Sequence, residues 1–161
     1  RNHSSAEEQQ KAFEAQIALA QRMQLPLFLH QRDAHSQFLD TLKNAGTIPN
    51  AVVHCFTGGK KEVTDYLDAG FYIGVTGWIC DERRGQDLRE SVQLVPLDRL
   101  LIETDAPWLT PRDLRPKPHK GRNEPAFLPH IAKAVAQYHG TDPTTLCRAT
   151  TENAKRFFRW S

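Results

Sequence analysis

Four times along this chain a short apolar run ends abruptly in a polar or small residue, with helical patterning between. Leu27-Phe28-Leu29 ends at His30 and Ala51-Val52-Val53 at His54. Phe71 to Val75 ends near Thr76-Gly77-Trp78, and Leu100-Leu101-Ile102 at Glu103-Thr104-Asp105. Unalternating runs this short fit strands buried on both faces. The intervening stretches read as helices over about 34–44, 60–69 and 83–95, the first two stopped by Gly46 and Gly70. Upstream, Ser5-Ala6-Glu7-Glu8 forms a capping box that opens an amphipathic helix of about 18 residues. Downstream, a Pro-rich loop over 106–123 leads into two helices, 124–139 and 143–158, the second opened by Asp142 and Pro143. Strands alternating with helices imply right-handed crossovers and a parallel sheet, hence an α/β fold.

That periodicity places the chemistry. His30, His54, Gly77 and Asp105 follow one another at 24, 23 and 28 residues. In a closed barrel or an open parallel sheet, all such strand ends lie on one face, where α/β proteins carry their sites. Two imidazoles and a carboxylate there form a candidate metal shell. Imidazole with carboxylate suits Zn²⁺ or Mn²⁺, whereas Mg²⁺ asks for more oxygen ligands and water. His35, His119, His130 and His139 fall outside that register and read as surface or packing residues.

Charge sharpens the reading. The whole chain carries +2, yet residues 112–122 (RDLRPKPHKGR) hold five Lys or Arg against one Asp, a net +4. This loop follows the strand that ends at Asp105, so it must overhang the site face. A basic rim over a candidate metal site points to a phosphate-bearing substrate. Trp78 and Trp108, just beyond two strand ends, are candidates to stack on unpaired bases.

Other chemistries find no support. There is no G-x-S-x-G elbow, no P-loop and no G-x-G-x-x-G. Cys55 adjoins His54, but neighbouring strand residues point to opposite faces, which argues against a Cys/His nucleophile pair. Cys55, Cys80 and Cys147 lack C-x-x-C spacing and make an odd count, so neither a disulfide framework nor a zinc ribbon is expected. No run is long and apolar enough for a membrane span, and Arg1 to Gln10 lack a signal-peptide core. The expectation is a cytoplasmic protein.

The blocks HQRDA (30–34), HCFTG (54–58), GVTGW (74–78), CDERRG (80–85), ETDAPWL (103–109) and RNEP (122–125) resemble the TatD family of metal-dependent deoxyribonucleases. The resemblance runs from about Ser5 to the C-terminus. It implies a TIM barrel with one or two divalent ions at its C-terminal face, Mg²⁺ foremost, with Zn²⁺ or Mn²⁺ as alternatives. It implies metal ligation by His30, His54 and Asp105, catalytic carboxylates at Asp105 and Glu103, and phosphate contacts from Arg32, Lys117 and Arg122. It further implies 3′-to-5′ exonuclease action on single-stranded DNA, and on RNA, with a role in DNA repair or degradation. Two rivals are a metal-dependent ester or amide hydrolase, such as a D-aminoacyl-tRNA deacylase, and a nucleic-acid-binding fragment without activity.

A TIM barrel typically needs about 250 residues and eight strands. These 161 residues hold four strand patterns. The expectation is therefore a single partial domain over 1–161: the C-terminal half of a (β/α)8 barrel, with two C-terminal helices. The first-strand histidines and the metal-bridging glutamate of the resembling family have no counterpart here, so the metal shell is expected to be incomplete. A full-length barrel is expected to be monomeric, and the fragment able to associate through its open face.

Overall fold

The computed structural model describes residues 3–160; Arg1 and Asn2, at the head of the stretch read for a signal peptide, lie outside it. A helix α1 (Ala6–Met23) precedes four strands with a helix between each pair: β1 (Leu27–His30), α2 (His35–Asn44), β2 (Ala51–His54), α3 (Lys60–Asp68), β3 (Tyr72–Val75), α4 (Gln86–Ser91) and β4 (Leu100–Ile102). Helices α5 (Leu128–His139) and α6 (Pro143–Phe158) close the chain. All four strands are parallel and pair strictly in order, β1-β2-β3-β4. A doubly wound sheet reverses its order at a switch point. Consecutive order with a helix between neighbours is instead an arc of a β/α barrel wall.

Local chemistry explains most boundaries. Ser5 and Glu8 form the capping box in full, the Ser5 hydroxyl accepting from the Glu8 amide and the Glu8 carboxylate accepting from the Ser5 amide. Gly46 and Gly70 sit at φ +79° and +81° just beyond α2 and α3, where a Cβ would be strained. Asp142 accepts from the Thr145 amide, and Pro143 takes the first helical position of α6.

Two helices differ from the sequence reading. The stretch 83–95 is helical only over Gln86–Ser91, then tightens into a 3-10 turn, Val92–Leu94. The amides of Arg83 and Arg84 bond the Asp81 side chain and so are already satisfied in a turn. At the other end, Pro96 disfavours helical Val95. The helix expected from Glu124 starts as a separate 3-10 turn, Pro125–Phe127, and becomes α-helical at Leu128. Pro125 and Pro129 both lack an amide hydrogen, so each needs its own first-turn position.

The sheet has two unlike faces. Leu27, Leu29, Val53, Ile73, Val75 and Leu100 pack with the helices in the main core. On the opposite face Val52, Tyr72 and Leu101 form a second, smaller cluster with Phe157 from the end of α6. Phe28 shares that face near the β1 edge and is 54% exposed. His30 and His54 continue the same alternation one step further along, at the carboxyl ends of their strands.

Candidate active site

His30 and His54 are direct register partners on β1 and β2, which brings their ring centroids to 5.7 Å. Register therefore does what 24 residues of spacing foretold. Asp105 arrives from the end of β4. The ligand atoms of His54, Cys55 and Asp105 all lie within 4.8 Å of one another; His30 is not part of that group and adjoins it through its ring contact with His54.

Glu103 organises the centre. It follows β4, yet it reaches across β3 to the last residue of β2 and the one after it. One oxygen accepts from His54 Nδ1 at 2.9 Å and the other from the Cys55 amide at 2.6 Å. The crossing is possible because the intervening position on β3 is Gly74. A Cβ there would sit 2.7 Å from a Glu103 oxygen and 3.4 Å from the His54 Cα. With Nδ1 held by Glu103, Nε2 is the His54 nitrogen left to act as a ligand, the carboxylate–histidine arrangement that orients metal-ligating imidazoles. Sequence reasoning expected a catalytic carboxylate at Glu103. Both of its oxygens are engaged, by His54 Nδ1 and the Cys55 amide, an arrangement suited to orienting His54.

Electrostatics separate the two histidines. Burial opposes a charge on His54, but the Glu103 hydrogen bond, the Glu103 charge and the Asp105 charge outweigh it and raise the pKa. Burial depresses His30, and His54 and Arg32 push the same way against Asp105. Arg32 is exposed, its guanidinium 3.8 Å from Asp33. The backbone is strained at this face: Asp33, Cys55 and Asp105 all have φ between +50° and +56°. Non-glycine residues seldom adopt that region, and such outliers concentrate at functional sites.

Cys55 departs from expectation. The alternation argument set it on the face opposite His54. But β2 ends at His54, and the left-handed Cys55 backbone turns the thiol back toward the cluster, where it meets Thr76 Oγ1 at 3.7 Å. Burial pushes that thiol up to about 11, so it stays protonated near neutrality. It does not supply a thiolate nucleophile.

The cations of the basic loop are unevenly engaged. Arg112 turns away toward Glu82 at 3.4 Å and Asp81 at 3.8 Å, and Arg115 bonds the carbonyls of Arg112 and Leu114. Among the described residues, Lys117, Lys120 and Arg122 have no carboxylate partner, and all are exposed. Trp108 is 70% exposed. Trp78 is not free: Arg84 lies 4.2 Å over its ring and its Nε1 donates to the Arg84 carbonyl.

Two positioning residues escaped the sequence reading. Asp81, 2% exposed, holds the Arg83 and Arg84 amides and the Arg84 guanidinium. Asn123, also 2% exposed, donates from Nδ2 to the carbonyls of Thr104 and Trp108, tying the end of the loop to the end of β4. An Asp two residues before a basic pair is the one signal that could have marked the Asp81 turn.

A family model described as TatD related DNase matches residues 1–159. The chain belongs to this family. It is 54% identical over 160 residues to the 3'-5' ssDNA/RNA exonuclease TatD of Pectobacterium carotovorum, covering 99% of this chain and 62% of that protein. It is 50% identical over 159 residues to the protein of that name from Salmonella typhimurium, at 98% and 61%. The chain thus spans about 62% of the length of the curated relatives it matches. Among solved structures, a TatD family hydrolase from Entamoeba histolytica superposes with TM-score 0.86 at 25% identity, over 98% of this chain and 58% of that one. YJJV, a TatD homolog from Escherichia coli k12, gives 0.85 at 28%, over 96% and 58%. These matches agree with an arc of a β/α barrel.

Proposed function

We propose that this chain is the C-terminal half of a TatD-type barrel and that the whole protein is a divalent-metal-dependent 3′-to-5′ exonuclease acting on single-stranded DNA or RNA. The observation that carries the proposal is the Glu103–His54 pair beside Asp105 and His30 on one strand-end face, under a loop with unpaired cations. The relatives named as single-stranded DNA/RNA exonucleases supply the substrate class.

The donor set fits a divalent ion. We assign His54 Nε2 and an Asp105 oxygen as donors, which lie within 4.8 Å of each other, and add a His30 ring nitrogen from the neighbouring strand, with Glu103 fixing the His54 tautomer. Two imidazoles and one carboxylate favour Zn²⁺ or Mn²⁺; Mg²⁺ binding would draw on water and phosphate oxygens. When bound, such an ion lowers the pKa of a water and stabilises charge on a phosphoryl oxygen.

The chain's own residues do the rest. Asp105 orients the attacking water and takes its proton. Arg32, Lys117 and Arg122 hold phosphates and concentrate a polyanion at the open face. Trp108, with its ring free, stacks on a base. We assign Trp78 the same role only if Arg84 swings off its ring. The water oxygen bonds to phosphorus, the bond from phosphorus to the 3′ oxygen of the penultimate nucleotide breaks, and that oxygen takes up the proton held on Asp105, so a nucleoside 5′-monophosphate and a strand with a free 3′ hydroxyl leave the site.

The test uses a chimera in which this chain replaces the matching 160 residues of the Pectobacterium carotovorum relative, which restores a full-length barrel. We expect a ladder shortening from the 3′ end of a 5′-labelled single strand, abolished by a chelator, and no turnover of an aminoacyl ester. A folded chimera that spares the oligonucleotide, or that cleaves only the ester, rejects the reading. We also propose that the 161-residue chain alone is far slower, because its metal shell is partial.

A further inference from the structure

A second group of potential ligands lies away from the strand-end cluster and shares no residue with it. Cys80 ends the 3-10 turn that follows β3 (Gly77–Cys80), Asp113 stands in the basic loop, and His130 lies in the first turn of α5. The Cys80 thiol, an Asp113 oxygen and a His130 ring nitrogen lie within 4.8 Å of one another, and His130 Nε2 is 2.8 Å from Asp113 Oδ1. Three separate elements converge on this point.

We propose that Cys80, Asp113 and His130 form a second metal site, selective for Zn²⁺ or a similarly soft divalent ion, that clamps the basic loop to α5 and the β3 turn. Thiolate, carboxylate and neutral imidazole are a zinc donor set, and a thiolate selects against Mg²⁺ and Ca²⁺. Thiolate and carboxylate together neutralise the two charges of the ion. Tetrahedral Zn²⁺ with bonds of about 2.0–2.3 Å sets its donors about 3.3–3.8 Å apart, so the His130–Asp113 contact opens by about half an ångström to admit it. The fourth position is left to water. Access is from the loop side: the Asp113 and His130 side chains are 54% and 31% exposed, whereas Cys80 is 3% exposed behind them.

Without an ion the thiol is not a trap for charge. Burial, helped by the Asp113 charge, pushes Cys80 up to about 12, so its proton stays on sulfur. Ion binding releases that proton to solvent, so affinity should rise with pH. The placement matters because Arg112, one residue before Asp113, is drawn to Asp81, one residue after Cys80. Two adjacent residue pairs therefore anchor the base of the loop.

The experiment is a Co²⁺ titration of the His54→Ala/Asp105→Ala protein, in which two of the strand-end donors are removed and His30 and Cys55 remain. A thiolate-to-Co²⁺ charge-transfer band should appear, persist in Cys55→Ser, vanish in Cys80→Ser and be bleached by one equivalent of Zn²⁺. Should Cys80→Ser fail to fold, Asp113→Asn and His130→Gln, on exposed side chains, must each weaken binding at least tenfold while melting normally. Zn²⁺ should also slow tryptic cleavage after Lys120 and Arg122. No band at millimolar Co²⁺, a band that follows Cys55 instead of Cys80, or unchanged cleavage would overturn the clamp.

Discussion

A single hydrogen atom at Gly74 decides whether the site can be assembled. Because that position on β3 lacks a side chain, Glu103 can cross from β4 to His54. Gly74→Ala leaves every charge in place but drives the Glu103 carboxylate off His54. We expect it to lower kcat of the full-length chimera by about 10- to 100-fold, as losing an orienting partner does. Glu103→Ala should match it, and the double variant should be little worse than either. Full additivity of the two losses would show that they do not act through one contact. Asp81 makes a different residue-scale prediction. The backbone and guanidinium bonds of Arg83 and Arg84 outweigh its burial and hold its pKa below the ordinary 3.8. A lowered folded-state pKa means that the unfolded chain binds protons first as acid is added. The stability contributed is complete above the ordinary carboxylate value and disappears as pH falls through the lowered one. Asp81→Asn should therefore melt earlier at pH 7, and its deficit relative to wild type should shrink below pH 4. A deficit independent of pH contradicts the assignment.

Between residues and the whole chain, the loop over 112–122 is the element with the most to do. Its formal +4 overstates what a substrate meets, since Arg112 is paired with acids and Arg115 is folded onto its own carbonyls. Lys117, Lys120 and Arg122 are left to face a polyanion. Lys117→Ala/Arg122→Ala should weaken single-stranded DNA binding and make the log Kd against log salt slope shallower by about 1.4, at roughly 0.7 per phosphate contact. An unchanged slope removes the loop from the interface. The elements were largely legible because strand ends and caps are local signals: the capping box, Gly46, Gly70 and Asp142 all mark true boundaries. The 83–95 helix was misread because a buried side chain, Asp81, takes the amides its first turn needs. Cys55 was misplaced because alternation ceases where a strand stops, which no period can announce. Glu103 was legible as a carboxylate at the right face but not as an orienter, since its partner comes from an element 49 residues away in sequence.

At the scale of the molecule, four parallel strands in consecutive order set their carboxyl ends side by side, and the register pair His30–His54 makes that face a donor surface. The inner face of the sheet is sealed near β3 and β4 by Phe157 under Tyr72, while Phe28 at the β1 edge stays half exposed. We propose that the remaining barrel wall docks at that edge, which also accounts for a chain spanning 62% of its curated relatives. His30, His54 and Asp105, the donors we propose, need only this arc to be brought together. The central claim is that these strand ends hold a divalent ion, and Mn²⁺ binding followed by electron paramagnetic resonance tests it most directly. We expect the chain to bind Mn²⁺, with affinity reduced at least tenfold in His54→Ala and in Asp105→Ala and unaffected in the control His35→Ala. Mn²⁺ binding that is absent, or that survives loss of both His54 and Asp105, would contradict the account.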